Sequence, residues 1–144
     1  MSPPVDPLRP TRPDGAAVPA DDSTTTVAEL RQLVGDFVAA RDWSQFHSPK
    51  NVSMALAIEA SELMEHFQWL TTEASRRVVD DPKKLAAIGE ELADVVGYSF
   101  ALANELGLDV AAAMRAKMIK NIEKYPAEQF RGRYGAEDDG GRGR

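Results

Sequence analysis

The chain has 144 residues, no cysteine and a formal net charge of −6. This length predicts one domain with a single core, and the lack of cysteine excludes disulfides, thiolate zinc sites and a cysteine nucleophile. The acidic balance argues against a nucleic-acid polymer as partner, because no broad basic surface is available for a phosphate backbone. The sequence has neither a membrane-spanning apolar run nor a signal-peptide core, so we expect a cytoplasmic protein that does not bind a membrane.

Both ends of the chain are predicted to be unstructured tails. Residues 1–25 hold most of the nine prolines and almost no large apolar side chains, and residues 127–144 end in RGRYGAEDDGGRGR. Such segments cannot bury enough apolar surface to offset the conformational entropy lost on ordering. The folded domain is therefore predicted to span residues 26–126.

Four helices are predicted in this domain, at about 26–41, 48–70, 81–106 and 109–124. The pairs Ser48-Pro49 and Asp81-Pro82 are typical of an N-cap followed by the first helical residue. Gly107 is typical of a helix stop.

The remaining segments of the domain are short. Residues 71–80 allow a short helical turn, and no stretch alternates with the period of a strand. Short connections favour antiparallel neighbours, so we predict an all-α fold, an antiparallel four-helix bundle.

Two of the helices carry paired carboxylates among apolar residues. In ALAIEASELMEHFQWL, residues 55–70, Glu59 and Glu62 are three residues apart, and Glu91 stands three residues before Asp94 in the other helix. Such pairs share a helical face, whereas Glu90 points about 100° away from Glu91 and is predicted to be exposed. Antiparallel packing of the two helices would bring the four pair members together.

Four carboxylates in one partly buried site need neutralisation, because burying an unpaired carboxylate costs several kcal/mol. All-oxygen ligands at helical spacing suit Mg²⁺, with Mn²⁺ as a substitute. The alternative is that the acids lie on the solvated edge of each helix. A redox di-iron site is not favoured, since that class needs Glu-x-x-His motifs and His66 follows Glu62 by four residues.

The fourth helix carries a line of polar residues at four-residue intervals, Lys117, Asn121 and Tyr125. Lysine can bind phosphate as a point charge, and asparagine and tyrosine can donate hydrogen bonds to it. This line therefore predicts a phosphate-binding face. The alternative is an ordinary lysine-rich surface helix.

Aromatic residues surround the start and the end of the second helix. Trp43, Phe46 and His47 are close together before it, and Trp69 stands near its end. Aromatic rings with a nearby histidine can stack on and hydrogen-bond a nucleobase. The alternative, that the rings join the first two helices, is preferred for Phe46, while both tryptophans favour a ligand.

Several segments resemble the MazG-like all-α nucleoside triphosphate pyrophosphohydrolases, and more narrowly the dCTP pyrophosphatase branch of that family. They are RDWSQFHSPKN, EASELMEHFQWL, EELADVVGYSFALA and KMIKNIEKYP. The resemblance covers residues 27–126. It implies Mg²⁺-dependent cleavage of a deoxynucleoside triphosphate to the monophosphate and pyrophosphate.

The resemblance also implies roles for individual residues. It assigns the metal to Glu59, Glu62, Glu91 and Asp94. It assigns the base and sugar to Trp43, Ser44, Gln45, Phe46, His47 and Trp69, with Tyr98 as a further substrate contact. It assigns the triphosphate to Lys117, Asn121 and Tyr125. A histidine of this branch is replaced here by Val34, so a base other than cytosine stays open.

The charge of the substrate gives a mechanism in outline. Bound Mg²⁺ would offset the charge of the triphosphate, and Glu62 is our choice for the carboxylate that orients or deprotonates the attacking water. Attack at the α- or the β-phosphorus stays open. The family assembles from several subunits, and we expect a homotetramer before a dimer.

Two other functions remain open at this point. One is the same chemistry on another nucleotide, such as dUTP or an oxidised purine nucleotide. The other is a non-catalytic, metal-binding helical interaction module.

Overall fold

A computed structural model describes residues 21–133, and in that range the chain forms helices and turns without strands, which confirms the all-α prediction. The α-helices are α1 Val27–Ala39, α2 Pro49–Glu65, α3 Thr72–Arg76, α4 Pro82–Glu105, α5 Val110–Lys124 and α6 Ala127–Phe130. Two 3₁₀ turns are Ser44–Phe46 and Val78–Asp80. None of the described helices combines the length and the apolarity that crossing a membrane requires.

The predicted starts of α2 and α4 and the predicted stop at Gly107 are confirmed by hydrogen bonds and backbone conformation. The Ser48 hydroxyl accepts from the Asn51 backbone N–H at 3.3 Å and caps α2. The Asp81 carboxylate accepts from two successive backbone N–H groups, at 3.0 and 3.2 Å, and caps α4. Gly107 follows α4 with φ +62°, a left-handed conformation that glycine adopts at low cost.

Helix α2 ends at Glu65, five residues before the predicted end at Leu70. The backbone N–H groups of Phe67 and Gln68 both donate to the Met64 carbonyl at 3.0 Å. The bond of Phe67 reaches back three residues instead of four, so the regular helical pattern gives way to a turn. Beyond it, the predicted helical turn in 71–80 is present as α3 and a 3₁₀ turn.

The chain divides into two compact units, Met1–Leu108 and Asp109–Arg144. In the first unit α1 and α2 both pack on α4. Arg31 near the start of α1 bonds Asn104 near the end of α4, so these two helices are antiparallel.

The described part of the first unit buries few side chains. Its buried apolar residues are Val52, Ala101 and Ala103, at 3 to 5% exposure. Many larger apolar side chains of α2 and α4 stay exposed, namely Met54, Ile58, Met64, Leu85, Leu92 and Val96. Among the described residues, the apolar surface of α2 and α4 is therefore only partly covered by other side chains.

The second unit contains α5 and the short helix α6. The Asp109 carboxylate accepts from the Ala112 backbone N–H at 2.8 Å, so the predicted start of α5 is confirmed. The Tyr125 and Phe130 rings pack edge to face with centroids 5.3 Å apart. The sequence did not predict α6, which lies at the start of the predicted flexible tail.

The predicted tails are described only in part. At the N-terminal end, the Asp21 carboxylate accepts from the backbone N–H groups of Ser23 and Thr24 in a local turn. Residues 1–20 and 134–144 of the predicted tails lie outside the described residues.

Candidate active site

Three of the four predicted metal ligands lie together. One carboxylate oxygen from each of Glu59, Glu62 and Glu91 lies within 4.8 Å of the others. Glu59 and Glu62 come from α2 and Glu91 from α4, so the carboxylate cluster forms where the two helices pack. Glu59 and Glu91 are half-buried, whereas Glu62 is exposed.

The electrostatics of Glu59 connect the fourth acid to this cluster. Desolvation raises the pKa of Glu59, and repulsion from Glu62, Asp94 and Glu91 raises it further. Asp94 is outside the group with oxygens within 4.8 Å, but its charge acts on the same carboxylate. The other three predicted acids therefore all act on the pKa of Glu59.

The donor set fits a hard divalent cation. All the ligand atoms are carboxylate oxygens, the type that Mg²⁺ and Mn²⁺ prefer. Among residues 21–133, the recorded salt bridge joins Arg77 to Asp80, so no lysine or arginine there pairs with the cluster. A cation held by these acids would relieve the repulsion that raises the pKa of Glu59.

An open cleft of about 650 Å³ adjoins the cluster through Asp94. This volume lies within the range usual for small-molecule sites. Helix α1, the connector 40–48 and helix α4 supply its lining, which consists of Leu33, Val34, Phe37, Val38, Trp43, His47, Asp94, Gly97, Tyr98 and Ala101. We call this the aromatic cleft.

The connector places Trp43 and His47 in the aromatic cleft through local hydrogen bonds. The His47 Nδ1 atom lies 2.9 Å from the Trp43 carbonyl oxygen. Since a carbonyl only accepts, Nδ1 carries the proton and donates, and in the neutral ring Nε2 is left as an acceptor. His47 thus adds a hydrogen-bonding group to a cleft with mostly apolar walls.

Comparison with known proteins agrees with this geometry. Residues 54–135, which include the four acids, match the MazG-like family. The chain belongs to the MazG-like family. A pyrophosphatase from Archaeoglobus fulgidus of known crystal structure superposes with a TM-score of 0.65 at 31% identity, covering 75% of this chain and 99% of that one.

Two relatives of known activity match at higher identity. The dCTP pyrophosphatase 1 of Bos taurus is 40% identical over 110 residues, which are 76% of this chain and 65% of that protein. The dCTP pyrophosphatase 1 of Homo sapiens is 42% identical over 106 residues, which are 74% and 62%. The chain therefore spans slightly under two thirds of the length of these curated relatives.

Not all predicted site residues of this MazG-like chain line the aromatic cleft. Ser44 lines a smaller neighbouring pocket together with His47. The Gln45 side-chain amide donates to the Asp42 carbonyl at 3.0 Å, and the Phe46 ring is exposed. The Phe46 carbonyl accepts from the side-chain amide of Asn51 in α2 at 3.1 Å. A role of Gln45 and Phe46 in binding stays a prediction.

Trp69 does not line the aromatic cleft that Trp43 and His47 share. It follows the shortened α2, its side chain is 88% exposed, and it is not among the lining residues of the aromatic cleft. Trp43, in contrast, is 43% exposed and lines the cleft. The two tryptophans, which the sequence grouped together, have different surroundings.

The predicted phosphate-binding residues belong to the second unit. Lys117 is exposed on α5, and the Asn121 amide donates to the Met118 sulfur at 3.9 Å. Tyr125 is the C-cap of α5 rather than a helical residue, and its backbone N–H donates to the Asn121 carbonyl. Their role toward a triphosphate stays a prediction.

Helix α1 supplies part of the site that the sequence did not assign. Leu33, Phe37 and Val38 line the aromatic cleft, and none of them was among the predicted site residues. Apolar cleft residues and apolar core residues have the same spacing, so no sequence signal separates them. Tyr98, one turn after Asp94, is present in the cleft as the resemblance implied.

Proposed function

We propose that this protein is a nucleoside triphosphate pyrophosphohydrolase that cleaves dCTP, or a 5-modified dCTP, to the monophosphate and pyrophosphate. One observation carries the proposal: Asp94 lies close enough to the carboxylate cluster to raise the pKa of Glu59, and it also lines the aromatic cleft. A metal-binding group and a base-sized cleft thus adjoin. The names and identities of the mammalian relatives support the same activity.

The proposal includes Mg²⁺ as the cofactor, with Mn²⁺ as a substitute. Glu59, Glu62, Glu91 and Asp94 would hold it. When bound, the ion offsets the charge of the triphosphate and of the pyrophosphate that leaves. Without it, the acids would repel a substrate that carries up to four negative charges.

Glu62 is proposed to orient the attacking water or to accept its proton. It is the exposed member of the carboxylate cluster, so its second oxygen can reach solvent while the first faces the cluster. Carboxylates act as general bases when they lie within hydrogen-bond reach of the nucleophile. Attack on the α- or the β-phosphorus yields the same two products, so the proposal leaves the position open.

The aromatic cleft is proposed to bind the base and sugar. Trp43 offers a ring for stacking, worth about 1–3 kcal/mol per base. The Nε2 acceptor of His47 suits an exocyclic amino group such as that of cytosine. Tyr98 lines the same cleft and can hydrogen-bond.

A second substrate class is supported by Val34. This residue lines the aromatic cleft at the position where the resembled branch has a histidine, so one polar contact of that branch is replaced by an apolar one. The same chemistry on dUTP or on an oxidised purine nucleotide is therefore the alternative.

The remaining predicted contacts complete the proposal for the substrate. Lys117, Asn121 and Tyr125 are proposed to bind the triphosphate, as the resemblance implied. We also keep a cytoplasmic location, because the cysteine-free composition suits a reducing compartment. Cell fractionation would test the location.

The active form is proposed to be a homotetramer, with a dimer as second choice. The exposed apolar residues of α2 and α4 support association, because such surface is normally buried against a partner. Trp69, which is 88% exposed, would gain cover from a second copy or from the nucleotide. Light scattering at micromolar concentration should give four subunits, and a monomer would contradict the proposal.

Pyrophosphate release from a panel of deoxynucleoside and nucleoside triphosphates, with Mg²⁺ and with EDTA, tests the activity. We expect Mg²⁺-dependent release that favours dCTP or a 5-modified dCTP. Release that favours another base keeps the reaction and supports the alternative substrates. No release from any nucleotide would leave a non-catalytic, metal-binding interaction module as the better interpretation.

A further inference from the structure

Arg41 packs against the two aromatic rings that form one wall of the cleft, Phe37 and Trp43. Phe37 and Trp43 meet edge to face, with centroids 5.8 Å apart and planes at 76°. The guanidinium carbon of Arg41 lies 3.6 Å from the Phe37 centroid and 5.9 Å from the Trp43 centroid. Arg41 is absent from the lining of the cleft, so it contacts the wall from outside.

Arg41 is held at this position by helix α1. Its Nη1 donates to the Phe37 backbone carbonyl at 3.0 Å. That carbonyl belongs to the last turn of α1, where carbonyls lack regular helical partners and attract positive charge. The same side chain therefore binds the end of the helix and stacks over the ring of its last aromatic residue, a cation–π contact.

The backbone of Trp43 is already restrained without Arg41. Its N–H donates to the Val38 carbonyl at 3.1 Å, and its carbonyl accepts from His47 Nδ1 and from the Phe46 N–H, at 2.9 and 2.8 Å. Asp42, with φ +53°, turns the chain back toward α1 just before it. What these bonds leave free is the orientation of the Trp43 ring.

We infer that Arg41 is a positioning residue for nucleotide recognition, which clamps Phe37 and thereby orders the Trp43 ring before the base binds. A ring that is already ordered loses less conformational entropy when a ligand stacks on it, so binding is tighter. The inference rests on the proposed function, because it takes the aromatic cleft as the base site. It adds a residue that touches neither the base nor the metal ligands.

The ordering of Trp43 can be measured without any nucleotide. The chain has two tryptophans, so a Trp69→Phe background leaves Trp43 as the only one. In that background Arg41→Met should lower the fluorescence anisotropy of Trp43 and increase its quenching by acrylamide. Arg76→Met removes the same charge from an exposed arginine at the end of α3 and should change neither. Unchanged anisotropy in Arg41→Met would overturn the inference.

Kinetics of pyrophosphate release provide the second readout. Arg41→Met should raise KM about three- to tenfold, the scale of ordering one side chain on binding, while kcat stays within about twofold. Arg41→Lys, which keeps the charge but not the planar group, should lie between. The rise in KM should persist at high salt. A rise that disappears there reports attraction of the anionic substrate instead and would overturn the inference.

A Trp43→Ala protein separates failure of the inference from failure of the proposed base site. If Trp43→Ala raises KM and Arg41→Met does not, Arg41 has no positioning role and the base site stands. If neither variant changes KM, the aromatic cleft is not the base site and both ideas fail. Should thermal unfolding show that Arg41→Met does not fold, Arg41→Lys carries the same measurements.

Discussion

The two halves of the candidate active site are held in place by different interactions. The carboxylate cluster stands on two long helices, α2 and α4, at positions three residues apart. The connector that carries Trp43 and His47 contains Asp42 in a left-handed conformation and a 3₁₀ turn. A hydrogen bond between the His47 ring and the Trp43 carbonyl holds it together. Helical periodicity places the carboxylates, whereas individual contacts place Trp43 and His47. We therefore expect changes in the cluster to damage chemistry, and changes in the connector to damage recognition.

The largest effect is expected from Glu59→Gln in the cluster. At a Mg²⁺ concentration that saturates the wild type, it should lower turnover at least about a thousandfold, because the weakened site loses the metal and several kcal/mol of charge stabilisation with it. Pyrophosphate release measures this loss.

Glu90→Gln is the matched control for this variant. Glu90 adjoins Glu91 in sequence and is exposed, on another side of α4. It should keep nearly full activity. Equal damage from both variants would mean that general surface charge, not the cluster, matters.

In the connector, Trp43→Ala should raise KM about ten- to a hundredfold with little change in kcat, because a stacked base is worth about 1–3 kcal/mol. Trp69→Ala is the comparison within the same chain and should have a smaller effect, because Trp69 does not line the aromatic cleft. Steady-state kinetics with dCTP distinguish the two. An equal rise for Trp69→Ala would indicate that this ring enters a base site outside its own subunit's cleft.

Mg²⁺ should stabilise the protein through the cluster alone. At ten times its Kd, the ion should add about 1.4 kcal/mol to the free energy of unfolding, several degrees in Tm. Thermal unfolding with and without Mg²⁺ measures the shift. It should disappear in Glu59→Gln and survive in Trp43→Ala, and its loss in Trp43→Ala would show that the two halves are not separable.

The smallest effect is expected in the pH dependence of the metal-free protein. The pKa of Glu59 is raised by desolvation and by the neighbouring acids. Between the ordinary and the raised pKa, the folded state keeps a proton that the unfolded state has lost. The contribution of Glu59 to the free energy of unfolding therefore falls as pH rises through that window, and the penalty is complete above it.

Glu59→Gln isolates this contribution. In EDTA at pH 7 the variant should unfold at a higher temperature than the wild type, and the difference should close as pH falls toward the ordinary range of glutamate. Thermal unfolding of both proteins across this range measures it. A difference that is constant with pH would contradict the raised pKa.

Prediction from the sequence succeeded where neighbours within a few residues decide the outcome. Ser48, Asp81 and Asp109 cap helices as predicted, because a cap bonds N–H groups two or three residues away. It was less successful at the end of α2, where the Phe67 N–H bonds the carbonyl three residues back and the helix stops early. Nothing in FQWL marks that stop, since neither glycine nor proline occurs there.

For the candidate site too, the sequence did not predict features that depend on how the chain packs. The sequence grouped Trp43 and Trp69, but Trp43 lines the aromatic cleft and Trp69 is exposed. Of the α1 residues that line the cleft, the sequence singled out Val34, whereas Phe37 was not assigned. Stacking between Phe37, Arg41 and Trp43 needs a reversal of the chain at Asp42, and no spacing rule predicts it.

By itself, the sequence determined an all-α chain, its main helix boundaries and two carboxylate pairs, because helix geometry places residues three and four apart on one face. The tertiary structure alone decided that, of the four acids, Glu59, Glu62 and Glu91 form the cluster and Asp94 lies outside it. It also decided that Asp94 joins the cluster to a cleft and that Arg41 supports the cleft wall. These relations depend on how α1, the connector and α4 pack, and packing joins residues whose separation along the chain carries no periodic signal.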